Sequence, residues 1–122
     1  MKNAINWFEI FVADMPRAKK FYEQSFNCAL VEENFGGEPI AMFPFDRMGG
    51  VGGSLTKSGR AKPSGEGALL YLNAGDDLDG ILARVPRAGG KVVTPRTAIP
   101  PAGSMAVILD SEGNRVGLHS LD

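Results

Sequence analysis

Cysteine and histidine occur once each in these 122 residues, and the two scarcities narrow the chemistry at the outset. A lone Cys28 cannot close an internal disulfide, and its place just after an apolar helix end reads as a small buried hydrophobe. A lone His119, with no Gly-x-Ser-x-Gly elbow and no Ser/His/Asp order, leaves no hydrolase triad. The chain also lacks any run of about 18 apolar residues, which excludes a membrane-spanning helix. Met1 to Asn6 leads straight into a strand pattern, so no signal peptide is expected and the cytoplasm is the expected compartment. Charge of one sign is lacking too. Thirteen Lys and Arg against 14 Asp and Glu leave a net charge of −1, with no general pull toward nucleic acid or an anionic membrane. The glycine pairs have neither the strand-to-helix setting nor the spacing of a nucleotide-binding loop.

What is present is a globular composition, 43% hydrophobic and 22% charged. At this length one domain buries roughly two thirds of its unfolded surface and needs no covalent staple. The organising stretch is Ile5 to Tyr22. Trp7, Glu9 and Phe11 alternate with Phe8, Ile10 and Val12, the period of a strand with two different faces. Asp14 then stands where an N-cap belongs, with Pro16 tolerated in the first helical turn. Met15, Ala18, Phe21, Tyr22 and Phe26 form the apolar stripe of the helix that follows, which can lie back on Phe8, Ile10 and Val12. That arrangement leaves Trp7, Glu9 and Phe11 on the opposite face.

Further strands are expected at 29–34, 40–45 and 51–56, with Gly52-Gly53 inside the last, completing a βαβββ module over about 1–56. Residues 57–66, KSGRAKPSGE, read as a solvated linker. A second module over about 67–122 repeats the order: a strand at 68–74, a helix opening at Asp76 or Asp77, and strands at 91–95, 104–110 and 115–120. Pro86 has to sit in the last turn of that second helix or kink it. At an offset of 64, Asp46, Gly49 and Gly53 fall on Asp110, Gly113 and Gly117, a sign of internal duplication.

Three stretches, FEIFVADMPRAKKFYEQSF, GALLYLNAGDDLDGILARVPRAGGKVV and AVILDSEGNRVGLHS, resemble the vicinal oxygen chelate superfamily of glyoxalases, bleomycin-resistance proteins and dioxygenases. The resemblance implies an α+β domain in which two tandem βαβββ modules form a curled mixed sheet around a cavity, the glyoxalase/bleomycin resistance/dihydroxybiphenyl dioxygenase fold. It also implies a divalent metal held by His and Glu at four cup-facing places. Those places fall here on Trp7, Gly53, Tyr71 (or Leu69 if the helix caps are aligned) and Gly117, none of them an ordinary metal ligand. The expectation is therefore no metal and no cofactor. The cup is expected to bind an apolar or aromatic small molecule, with Trp7, Phe11 and Tyr71 stacking and Glu9, Asn73 and His119 as its polar groups. The alternative is a lyase, isomerase or dioxygenase using Glu9 as general base, with or without a metal recruited through His119. Glu9 also reads as a solvated or arginine-paired carboxylate, His119 as a rim or surface histidine bonded to water, and Trp7, Phe11 and Tyr71 equally as core. Family members resembling this chain usually pair, so a homodimer is expected.

Overall fold

The computed structural model describes residues 2–122, and in it each half of the chain folds as one helix and one four-stranded mixed sheet. The first half runs β1 (Trp7–Phe11), α1 (Met15–Phe26), β2 (Val31–Phe35), β3 (Glu38–Met42), β4 (Gly52–Thr56), with strand order β1-β4-β3-β2. The second half runs β5 (Tyr71–Asn73), α2 (Leu78–Ala88), β6 (Lys91–Ala98), β7 (Ser104–Leu109), β8 (Arg115–Ser120), ordered β5-β8-β7-β6. In each sheet the strand before the helix pairs parallel with the last strand, and the other pairs are antiparallel. This is βαβββ twice, the order the sequence pattern predicts.

Local chemistry sets the helix ends. Asp14 caps α1 by accepting the Arg17 N–H at 3.0 Å, Pro16 lies in the first turn, and Asn27 ends the helix in the left-handed region at φ 53°. Pro86 does occupy the last turn of α2. Gly89 closes that helix at φ 106°, and the Gly89 and Gly90 amides bond back to the Pro86 and Val85 carbonyls. Three strands differ from expectation, and β5 is the shortest, Tyr71–Asn73 where 68–74 is expected. β6 continues through Pro95 to Ala98, because register shifts after Val92 and Thr94 let an edge strand bulge around a residue with no N–H. β3 stops at Met42, short of Pro44.

One core serves both halves. Ile10, Val12 and Leu55 from the first sheet and Leu72, Ala106, Ile108, Val116 and Leu118 from the second meet Phe21 and Tyr22 of α1 and Leu78, Ile81 and Val85 of α2. Each such Val, Leu, Ile or Phe side chain contributes about 1.5–3 kcal/mol by leaving water. Since Ile10 and Leu72 face the helices, strand alternation puts Trp7, Glu9, Phe11, Tyr71 and Asn73 on the far faces of the sheets.

The halves are stitched together by the β7–β8 turn. Buried Asp110 accepts the Tyr22 hydroxyl at 2.7 Å, the Glu112 amide at 2.8 Å, and the Asn114 amide and Nδ2 at 2.9 and 3.0 Å. Burial, then the Asp110 charge and hydrogen bond, push the Tyr22 phenol well above its usual range, so it stays a donor. Glu112 reaches the start of α1, accepting the Ala13 and Asp14 amides at 2.9 and 2.8 Å and the Arg17 guanidinium at 2.6 and 3.0 Å. Burial opposes the Glu112 charge, yet Arg17, those two amides and the Ser111 hydroxyl together hold its carboxyl down to about 2. Asn114 donates to the Phe11 carbonyl at 2.8 Å and accepts the Ser64 amide at 2.8 Å. One five-residue turn thus holds the segment leading into the other half's helix and fastens its first strand.

Candidate functional site

The six site residues expected from the sequence form two groups, one on each sheet. On β1, Trp7, Glu9 and Phe11 share a face with Gly52, Ser54 and Thr56 of β4, their register partners. The Trp7 indole meets the Phe45 ring edge-on at 5.7 Å, and the Phe45 ring lies over Gly52, where any side chain would collide with it. On the second sheet Tyr71 pairs with Gly117 and Asn73 with His119. Tyr71, Asn73 and His119 line a hollow of about 550 Å³ together with Gly75, Asp76, Leu121 and Asp122. The Trp7, Glu9 and Phe11 side chains are not part of that hollow's wall.

The register corrects one sequence assignment. Gly53 pairs with Phe8 and lies beneath the Phe8 ring on the helix side, so the cup-facing glycine of β4 is Gly52. The fixed offset of 64 fails there by one residue, and a one-residue slip reverses the face. In the second sheet Gly117 does face the cup side, under the Tyr71 ring.

Sequence reasoning missed the residues that cover Glu9. The 57–66 segment folds back across the first sheet, and Arg60 Nη2 bridges Glu9 of β1 at 3.1 Å and Glu38 of β3 at 3.0 Å, passing over the intervening β4. Its guanidinium carbon sits 5.5 Å from the Phe11 ring centroid, in cation–π range. The Ser58 hydroxyl donates to the other Glu38 oxygen, and Ser58 together with Arg60 holds the Glu38 carboxyl below its usual range. Beyond this strap, Ser64 is tied to Asn114, and a small cavity of about 140 Å³ runs beneath it between Glu9, Phe11, Leu70 and Arg115. No local motif announces Arg60, because its partners lie 22 and 51 positions away. On the second sheet the His119 Nε2 donates to the Ala102 carbonyl at 2.6 Å, the only role open to it opposite a carbonyl oxygen.

Paired βαβββ units with a far face rich in aromatics and short of histidine can be compared with known proteins. A sequence profile of the Glyoxalase/Bleomycin resistance protein/Dioxygenase superfamily matches residues 4–118. The chain belongs to this superfamily. CFP32 of Mycobacterium bovis, named as a candidate glyoxylase, is 33% identical over 124 aligned positions, covering 93% of this chain and 44% of CFP32. The chain therefore spans about half the length of the curated relatives it matches. Among solved structures, a glyoxalase/bleomycin resistance protein from Albidiferax ferrireducens superposes with TM-score 0.73 at 17% identity, over 97% of this chain and 98% of that one. A glyoxalase-related enzyme from Fulvimarina pelagi gives 0.71 at 17%, over 98% and 88%. A variant of maize glyoxalase I gives 0.71 at 23%, over 94% of this chain and 45% of that one. At these identities the superpositions establish the glyoxalase fold. Among the described residues no helix is long and apolar enough to cross a membrane.

Proposed function

We propose that this glyoxalase-superfamily chain binds an apolar or aromatic small molecule in its cup and lacks the superfamily's usual metal site. The observation that carries the reading is the set of side chains at the paired strand positions, Trp7 beside Gly52 and Tyr71 beside Gly117. An indole nitrogen has no lone pair to give, a glycine has no side chain, and a neutral phenol is a weak donor, so this set does not fit a divalent ion. The same positions suit stacking: Trp7 is 38% and Tyr71 50% exposed, both on the cup side. Glu9, Asn73 and His119 supply orienting polar groups. Glu9 is already engaged by Arg60 at 3.1 Å, an arrangement that suits fixing a ligand by charge and hydrogen bonds.

We further propose that two copies pair, the second filling the place of the additional half in the longer relatives. Two measurements test the reading. Purified protein is expected to carry no stoichiometric divalent metal, and Glu9→Gln to fold normally while weakening whatever small molecule co-purifies and is released for mass spectrometry. One equivalent of nickel, zinc or iron bound through Glu9 and His119 would overturn it. Light scattering at micromolar concentration is expected to give twice the chain mass.

A further inference from the structure

The β7–β8 turn seals one side of the junction between the halves, while the other side holds a cavity. The cavity measures about 280 Å³ and lies where the ends of α1, β3 and β4 approach β5, bounded by helix-side Phe8 and Leu72 and reaching Gly52 and Asn73 at the strand ends. Its wall is Phe8, Phe26, Cys28, Phe43, Leu72 and Asn73. A second hollow of about 230 Å³ shares Phe8, Val51, Leu72 and Asn73 with it and extends toward Ile5 and Tyr71.

The aromatic wall is held in place before any ligand arrives. Phe43 packs 5.5 Å from Phe8 and 5.3 Å from fully buried Tyr22, which in turn stands 5.9 Å from Phe26. Phe8 can lie flat there because Gly53 beneath it has no side chain. Asn73, whose side chain turns to the cup and accepts the Gly75 amide at 2.8 Å through Oδ1, meets this wall only at the end of β5. Burial pushes the Cys28 thiol above its ordinary range, with the Glu23 charge adding to it, so the thiol is a neutral part of the lining. Apolar cavities of about 150 Å³ take a benzene ring, so this volume suits one or two rings.

We propose that this junction cavity is a second small-molecule site beside the cup, taking a neutral ligand of one or two aromatic rings that packs against Phe8, Phe26 and Phe43. The inference does not depend on what the cup binds. The probe is 2-naphthol, followed by calorimetry, and the only cysteine in the chain serves as a built-in reporter. One-to-one binding is expected, with saturating probe slowing the reaction of Cys28 with N-ethylmaleimide at least five-fold. Val51→Trp, which fills the cavity from its rim, is expected to weaken the probe at least ten-fold. Absence of binding up to millimolar probe, or unchanged Cys28 reactivity in the saturated wild-type protein, would overturn the proposal even if Val51→Trp failed to fold. A loss on Glu9→Gln with folded Val51→Trp unaffected would place the probe in the cup and overturn it equally.

Discussion

Two turns of the same build, at 46–50 and 110–114, differ in what they touch. In the first, the Met48 amide bonds to the Asp46 side chain and the Gly49 and Gly50 amides to the Asp46 carbonyl. In the second, the Glu112 amide bonds to the Asp110 side chain, the Gly113 amide to its carbonyl, and the Asn114 amide to its side chain. The backbone device is shared, as the internal duplication implies. The outward side chains are not. Glu112 and Asn114 stitch the second turn to α1 and β1, whereas Met48 stands 94% exposed and Gly50 has nothing to offer. The receiving helices differ in step: aligning the caps Asp14 and Asp77 puts Val85 where Tyr22 stands and Gly80 where Arg17 stands. Among the described residues no side-chain hydrogen bond joins the 46–50 turn to the second half. Duplicated modules can thus be fastened at one junction only, leaving the other free to hold a cavity.

The contrast can be broken by substitution, most severely at the aspartates. Asp110→Ala removes the acceptor of four hydrogen bonds from a buried site and is expected to cost about 3–5 kcal/mol in urea unfolding. Asp46→Ala, in an exposed turn, is expected to cost under about 1 kcal/mol. If the two costs are alike, the second turn is not the fastening.

The next pair down is Glu112→Ala against Met48→Ala. The first leaves the Ala13 and Asp14 amides and the Arg17 guanidinium without their acceptor and is expected to cost about 2–3 kcal/mol. The second is expected to stay within about 0.5 kcal/mol of wild type. Glu112 also sets a pH signature. Its folded-state value of about 2 lies below the ordinary 4.5, so its contribution is complete above pH 4.5 and is lost as pH falls toward 2. Stability profiles of wild type and Glu112→Gln are expected to converge across that window, and parallel profiles would contradict it.

Smaller effects sharpen the comparison of the two sheets. Gly53→Ala drives a methyl into the packed Phe8 ring and is expected to cost about 1–3 kcal/mol. Gly117→Ala meets Tyr71, which is half exposed and can swing aside, so its melting temperature is expected to fall less. Equal losses would show that Tyr71 is as firmly held as Phe8. Arg60→Gln is expected to leave the melting temperature unchanged while amide exchange across residues 58–62 accelerates, since exposed ion pairs hold a strap without supporting the core.

Much of the fold could be read from single residues. Asp14 and Pro16 mark the start of α1, and two-residue alternation the faces of β1. Those are short-range effects, carried by the residues that show them. β6 ran past Pro95 because bulges depend on a partner strand, and Gly53 was put on the wrong face because register is set across strands. Arg60 over Glu9, and Glu112 at the start of α1, were invisible for the same reason: each joins groups far apart in the chain.

Residue-resolved hydrogen exchange on the wild-type protein tests the one-sided fastening most directly. The amides of Glu112 and Asn114 are predicted to be protected to nearly the full unfolding free energy, while those of Met48, Gly49 and Gly50, in the same kind of turn, exchange by local opening orders of magnitude faster. Equal protection in the two turns would mean that the first is docked as firmly as the second, and would contradict the account.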